Sequence, residues 1–175
     1  MPTSDDDAVN SVRRRLLRIG SAAAIAFIPM SAITTNSTAS RTSTSAFAPL
    51  RQIDAGELNI GYVDIGPPDG RPVLLLHGWP YDIHAYSEVA PLLADKGFRV
   101  IVPHLRGFGT TRFRHDSTLR NGQQAALAVD VIALMDALGL KNALLGGFDW
   151  GARAANCVAA LWPERCSAMV STRRS

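Results

Sequence analysis

Asp149 is the side chain best placed to do chemistry in this sequence. It sits at the centre of Gly147-Phe148-Asp149-Trp150-Gly151, after the apolar run Ala143 to Leu145 and before a stretch of small residues. A sharp turn from a strand into a helix brings backbones too close for a Cβ, so glycine is required at both flanks. The pattern has the form of the Gly-x-Ser-x-Gly nucleophile elbow with aspartate in place of serine. The N-terminus of the following helix favours an anion at that point. Asp149 has a second reading as a simple N-cap, a common role for aspartate at such a junction. Another turn, His77-Gly78-Trp79-Pro80, follows the apolar run Val73 to Leu76. Gly78 lets the chain turn sharply, and Pro80 fixes its exit without needing a donor. The Trp79 N–H is then left to point at the same place, and together with the Trp150 N–H it makes a two-point oxyanion hole. His77 reads as a hydrogen-bonded structural histidine of that turn.

The side chain at the elbow limits the reaction. A carboxylate attacking an ester or amide would give a mixed anhydride, a poor route for acyl transfer. Attack at a saturated carbon bearing a good leaving group gives an ordinary ester on Asp149, which suits epoxides and carbon–halogen bonds. A water activated by a histidine then attacks the Asp149 carbonyl carbon, so the oxyanion hole serves the enzyme's own ester.

These residues need elements to hold them. Leu58 to Val63, Val73 to Leu76, Phe98 to Val102, Ala143 to Leu145 and Ala168 to Val170 read as strands, and the unbroken apolar runs suit strands covered on both faces. His84 to Lys96 reads as a helix with Val89, Leu92 and Leu93 on one face and Gly97 after it. Gln123 to Leu138 reads as another, with Leu127, Val131, Leu134, Met135 and Leu138 at helical spacing. Ala152 to Leu161, stopped before Pro163, is a third. Helices alternating with short apolar strands predict a mostly parallel, doubly wound α/β sheet. In such sheets ligands bind at the carboxyl ends of the strands, where both turns lie.

The first 48 residues have a different character. Arg13-Arg14-Arg15-Leu16-Leu17-Arg18 precedes the uncharged stretch Ile19 to Ile33, which contains Gly20 and Pro29 and is too short and broken to span a bilayer. The order of a basic, an apolar and a small-residue segment predicts an export signal over residues 1–39, resembling the twin-arginine type, with cleavage after Ala39. A chance arginine cluster in a tail is the plain alternative. Residues 40–48, rich in Ser, Thr and Ala, read as a linker to a folded domain over 49–175. Of 18 basic and 15 acidic residues, four basic and three acidic lie in 1–39, and two basic ones are Arg173 and Arg174. Twelve of each remain in 40–172, which gives no electrostatic footprint for nucleic acid. Cys157 and Cys166, nine residues apart, could pair after export, and otherwise read as buried free thiols. No metal-ligand spacing or phosphate-binding glycine loop occurs, so no cofactor is expected. The expected partners are a small-molecule substrate and, through the signal, export machinery.

His77-Gly78-Trp79-Pro80, Arg106-Gly107-Phe108-Gly109 and Gly147-Phe148-Asp149-Trp150-Gly151-Ala152 together resemble the N-terminal half of the α/β-hydrolase fold family, in its epoxide hydrolase and haloalkane dehalogenase branch. The resemblance spans about Leu58 to Val170. It departs from the pattern at His104, where relatives often place Asp, and at Phe148, where His or Tyr is common. It implies Asp149 as nucleophile, Trp79 and Trp150 as oxyanion donors, and a general base and its orienting acid after later strands. All four histidines (His77, His84, His104, His115) precede Asp149. The resemblance thus implies a chain ending just past the sixth of eight strands, without the cap domain, acid or base, and therefore without turnover. Trp150 suits either branch, while Trp79 is nearer the epoxide hydrolases. Arg153 stands where haloacid-specific relatives bind a carboxylate, or is a solvated first-turn residue. A non-catalytic exported α/β binding domain, with Asp149 as a cap, is the rival reading.

Overall fold

Apolar runs of four to six residues set the framework. The computed structural model describes residues 49–172. The segments read as an export signal (1–39) and a linker (40–48), and Arg173 to Ser175, lie outside the described residues. The strands are β1 (Arg51–Ala55), β2 (Leu58–Ile65), β3 (Arg71–Leu76), β4 (Phe98–Pro103), β5 (Arg112–Phe113), β6 (Ala143–Phe148) and β7 (Cys166–Thr172). The helices are α1 (Val89–Ala94), α2 (Gln124–Ala137) and α3 (Trp150–Leu161), with 3-10 turns at Ile83–Tyr86 and Pro163–Arg165. One mixed sheet runs in the order β1-β2-β4-β3-β6-β7, and the short β5 pairs with β2.

The site-bearing half of that sheet is parallel. β3 lies between β4 and β6, with Val73 opposite Val100 and Leu144, and β7 pairs parallel with β6. The other half is antiparallel, because β1 and β2 form a hairpin and β2 runs against β4. Successive residues of β3 serve opposite faces. Leu74 and Leu76 join a core with Leu134 and Val158 from α2 and α3, while Val73 and Leu75 join one with Ala90 and Ile83. With both faces covered, β3 is an uninterrupted apolar strand, as its sequence requires.

Two elements differ from expectation. The helix read over His84 to Lys96 is a 3-10 turn followed by the two-turn α1. Asp82 Oδ1 accepts the His84 N–H at 2.9 Å, and Pro91 cannot donate to a continuous helix through Ser87 and Glu88. Val89 and Leu92 face outward, and Ala90 takes the buried position instead. The structure has seven strands where five are expected; the two additional ones are β1 and β5, neither of which the apolar pattern reveals.

Candidate active site

Register creates the site before any side chain is considered. Leu76 pairs with Gly147, so the segments leaving β3 and β6 emerge side by side at the carboxyl edge of the sheet. His77-Gly78-Trp79 thereby lies against Phe148-Asp149. A Cβ on Gly78 would come within 2.6 Å of the Asp149 Cβ, and one on Gly151 would overlap the Leu76 carbonyl oxygen. A Cβ on Gly147 would meet the Gly151 carbonyl carbon at 2.7 Å. The glycines expected at the elbow are thus imposed by contact of three backbones.

Asp149 itself has φ 49° and ψ −118°, the only positive φ of a non-glycine residue among the described residues. This conformation lies outside the left-handed helical well and costs on the order of 1–3 kcal/mol. Its side chain makes no capping bond to α3. Oδ2 instead accepts the Trp79 N–H at 2.9 Å, across 70 residues of sequence. The cap reading of Asp149 is therefore not what the geometry shows. Trp150 opens α3, where backbone N–H groups have no acceptor within the helix. The Trp79–Pro80 peptide is cis.

His77 fixes the turn that carries the Trp79 donor. Fully buried, it has Nδ1 3.2 Å from the Gly78 carbonyl oxygen, and its Nε2 accepts the Leu105 N–H at 3.1 Å. Those partners define one tautomer, with the proton on Nδ1. Burial pushes its pKa below the ordinary histidine value. His77 thus braces the turn through its two backbone partners. His104 is only partly held. Its backbone is bonded, but its buried Nδ1 has no partner among the described residues, and burial lowers its pKa too. His84 pairs with Asp82, and His115 is exposed.

A cleft of about 780 Å³ opens over Asp149, lined by Trp79, Tyr81, Trp150, Arg153, Asn156 and Thr172 among others. Arg153 is exposed on the first turn of α3, with its guanidinium carbon 5.0 Å from the Trp150 ring centroid. Cys157 and Cys166 are free and half-buried, outside the cleft lining.

Sequence reasoning missed three supports. The Tyr86 hydroxyl donates to the Leu76 carbonyl at 2.9 Å, at the point where β3 becomes the oxyanion turn. Phe148 is packed edge-on by Tyr81 and tilted against Tyr86. Arg106 forms a two-pronged pair with Asp130 of α2 at 2.6 and 2.7 Å and also donates to the Asn121 carbonyl. Asp130 gave a readable signal, because it lies on the buried face of α2 between Leu127 and Leu134, where a lone charge needs a partner. Tyr86 and its carbonyl partner gave none.

The sequence profile of the alpha/beta hydrolase fold matches residues 71–173, more than half of the chain. This chain belongs to the α/β-hydrolase family. It is 36% identical over 107 residues to Epoxide hydrolase B of Mycobacterium tuberculosis, covering 59% of this chain and 29% of that protein. It is 41% identical over 101 residues to a haloalkane dehalogenase of Psychrobacter cryohalolentis, covering 54% and 31%. Among solved structures, a Klebsiella pneumoniae protein described as a candidate epoxide hydrolase superposes with TM-score 0.71 at 66% identity, over 72% of this chain and 42% of that one. Epoxide hydrolase A of Mycobacterium thermoresistibile gives 0.63 at 28% identity, over 70% and 38%. The chain thus spans less than half the length of these relatives.

Proposed function

We propose that Asp149 is the nucleophile of an epoxide-opening hydrolase and that this chain supplies the alkylation half of the reaction. The observation that carries the reading is the strained Asp149, held in an unfavourable conformation with its carboxylate on the Trp79 N–H instead of on the helix it precedes. Oδ2 is occupied by that donor, so Oδ1 is the oxygen that attacks. The Oδ1–carbon bond forms as the epoxide carbon–oxygen bond breaks, and the released alkoxide takes a proton from water. Oδ2 becomes the ester carbonyl oxygen. Charge developing on it in a later attack by water would be met by the Trp79 and Trp150 N–H groups.

No histidine follows Asp149 in the 175 residues, and the buried His77 is committed to the Gly78 and Leu105 backbones. On this reading the residues that deliver the water do not come from the described histidines, and the 175-residue polypeptide taken alone is expected to be alkylated once without turnover. Incubation with styrene oxide should give a single intact-mass adduct, localised to Asp149 and missing in Asp149→Asn. Sustained diol formation by the purified chain, or equal labelling of Asp149→Asn, would overturn the reading. Opening of a carbon–halogen bond is a second reading, favoured by the similarity to the Psychrobacter dehalogenase. Replacing styrene oxide with 1-bromobutane in the same assay separates the two. The N-terminal 39 residues belong to the same proposal as an export signal.

A further inference from the structure

The loop that carries the Trp79 donor leaves β3 after Leu76 and comes back as the 3-10 turn Ile83–Tyr86, where Ile83 is buried in one core with Val73 and Leu75. The Tyr86 hydroxyl then donates to the Leu76 carbonyl at 2.9 Å, ten residues back along the chain, and closes this loop at its base. Its ring makes a second contact. The ring centroid lies 5.8 Å from that of Phe148, the residue before Asp149, and Tyr81 of the same loop packs on Phe148 at the same distance. Tyr86 thus touches both backbone segments of the site, at the last residue of β3 and the last residue of β6. Packing alone does not fix the ring, because a groove of about 360 Å³ borders it, lined by Leu75, Leu144, Phe148 and Met169 among others. Burial pushes the phenol pKa up, so the hydroxyl stays a donor at any working pH.

We propose that Tyr86 is a positioning residue for the reaction at Asp149: by tying Leu76 to Phe148 it sets the approach of the Trp79 N–H to Asp149 Oδ2. This rests on the reading of Asp149 as nucleophile. The Trp79 N–H reaches Oδ2 at 2.9 Å across 70 residues, so that bond depends on how two separate segments are spaced. Gly151 of α3 packs against the same Leu76 carbonyl with no room for a Cβ, and losing the hydroxyl leaves that oxygen short of its side-chain donor. The base of the loop then loosens and Trp79 moves off Oδ2. The carboxylate loses the contact that leaves Oδ1 free to attack. Orientation is what the hydroxyl supplies, since it lies on a carbonyl and away from the reacting atoms. A misplacement of about 1 Å at such a site can cost about a hundredfold in rate.

The test uses Tyr86→Phe in the full chain, which keeps the ring and removes only the oxygen. The backbone amide proton of Trp79, read by heteronuclear NMR, should move upfield toward its position in Asp149→Asn. The limiting rate of alkylation by styrene oxide should fall about 10- to 100-fold, with half-saturation unchanged. An unmoved Trp79 signal overturns the proposal. So does an undiminished limiting rate in a variant whose signal has moved. Val100→Ala takes volume from the same core on a strand that bears neither turn, and so separates position from stability. It should lower the urea midpoint and leave the Trp79 signal in place; a shift as large as that of Tyr86→Phe overturns the proposal as well. If styrene oxide marks neither wild type nor variant and the Trp79 signal still moves in Tyr86→Phe, the hold of Tyr86 on the turn stands and the nucleophile reading falls.

Discussion

Gly151→Ala probes the contact on which the whole site depends. Gly151 lies within α3, where exchanging glycine for alanine ordinarily stabilises by about 1 kcal/mol. Here the added methyl would overlap the Leu76 carbonyl oxygen and lie 2.6 Å from that of His77. Both are backbone atoms at the end of a central strand, so neither can swing away as a side chain would. Overpacking costs typically 1–3 kcal/mol, and a clash with fixed backbone sits at the upper end of that range or above it. Subtracting the helical gain leaves a net loss of about 2 kcal/mol. With a urea slope of about 1–2 kcal/mol per molar, the unfolding midpoint should drop by about 1–2 M. Urea titration followed by circular dichroism reads this directly. Gly122→Ala, where a new Cβ meets nothing within 4 Å, serves as the control and should shift stability by less than about 0.5 kcal/mol. Gly151→Ala should also slow alkylation of Asp149, because pushing α3 from β3 separates the Trp79 N–H from Oδ2. Refutation would be a Gly151→Ala protein as stable as wild type, since α3 would then not be pressed on β3.

Three further outcomes are expected. His77 and His104 are both held below the usual histidine pKa by burial, so between those lowered values and about 6.5 the unfolded chain binds protons that the folded chain refuses. Stability should be complete above that pH and decline as pH falls below it, by at most about 1.4 kcal/mol per pH unit for each group, and His104→Phe should make the decline in urea midpoints shallower. Arg106→Met leaves Asp130 buried without its partner and should cost about 3–5 kcal/mol, with Arg106→Met/Asp130→Leu recovering most of it in the same titration. Replacing Arg13 and Arg14 together by lysine should retain the chain inside a bacterial cell where the unaltered chain is exported, as read by fractionation and immunoblotting.

The parts of this molecule legible in its sequence are those where one physical demand dominates. Val73 to Leu76 must be apolar on both sides because helices cover both faces of β3, so four consecutive large hydrophobics announce it. Gly147, Gly151 and Asp149 announce the elbow because only glycine fits where three backbones meet. β1 stays hidden since its residues are mostly exposed and mixed in polarity, and its strand character comes from the ladder to β2. α1 was misread because periodicity overlooked Pro91 and the Asp82 bond that closes a separate 3-10 turn. The Tyr86 to Leu76 bond depends on where tertiary structure delivers a phenol to a carbonyl, which no local pattern encodes.

The strand β7 has a consequence of its own. It closes the ladder on one side, all but its first residue are exposed, and from Cys166 to Thr172 it holds no charge and no proline. Among the described residues no strand pairs with its outer row of peptide groups, and the strand itself carries none of the charges or prolines that discourage strand addition. Ser171 and Thr172, at the end of this same strand, also form part of the wall of the Asp149 cleft. Any polypeptide that zips onto that margin would thus both consume a self-association hazard and redraw the rim over the carboxylate, coupling solubility and reactivity of the molecule through a single line of hydrogen bonds.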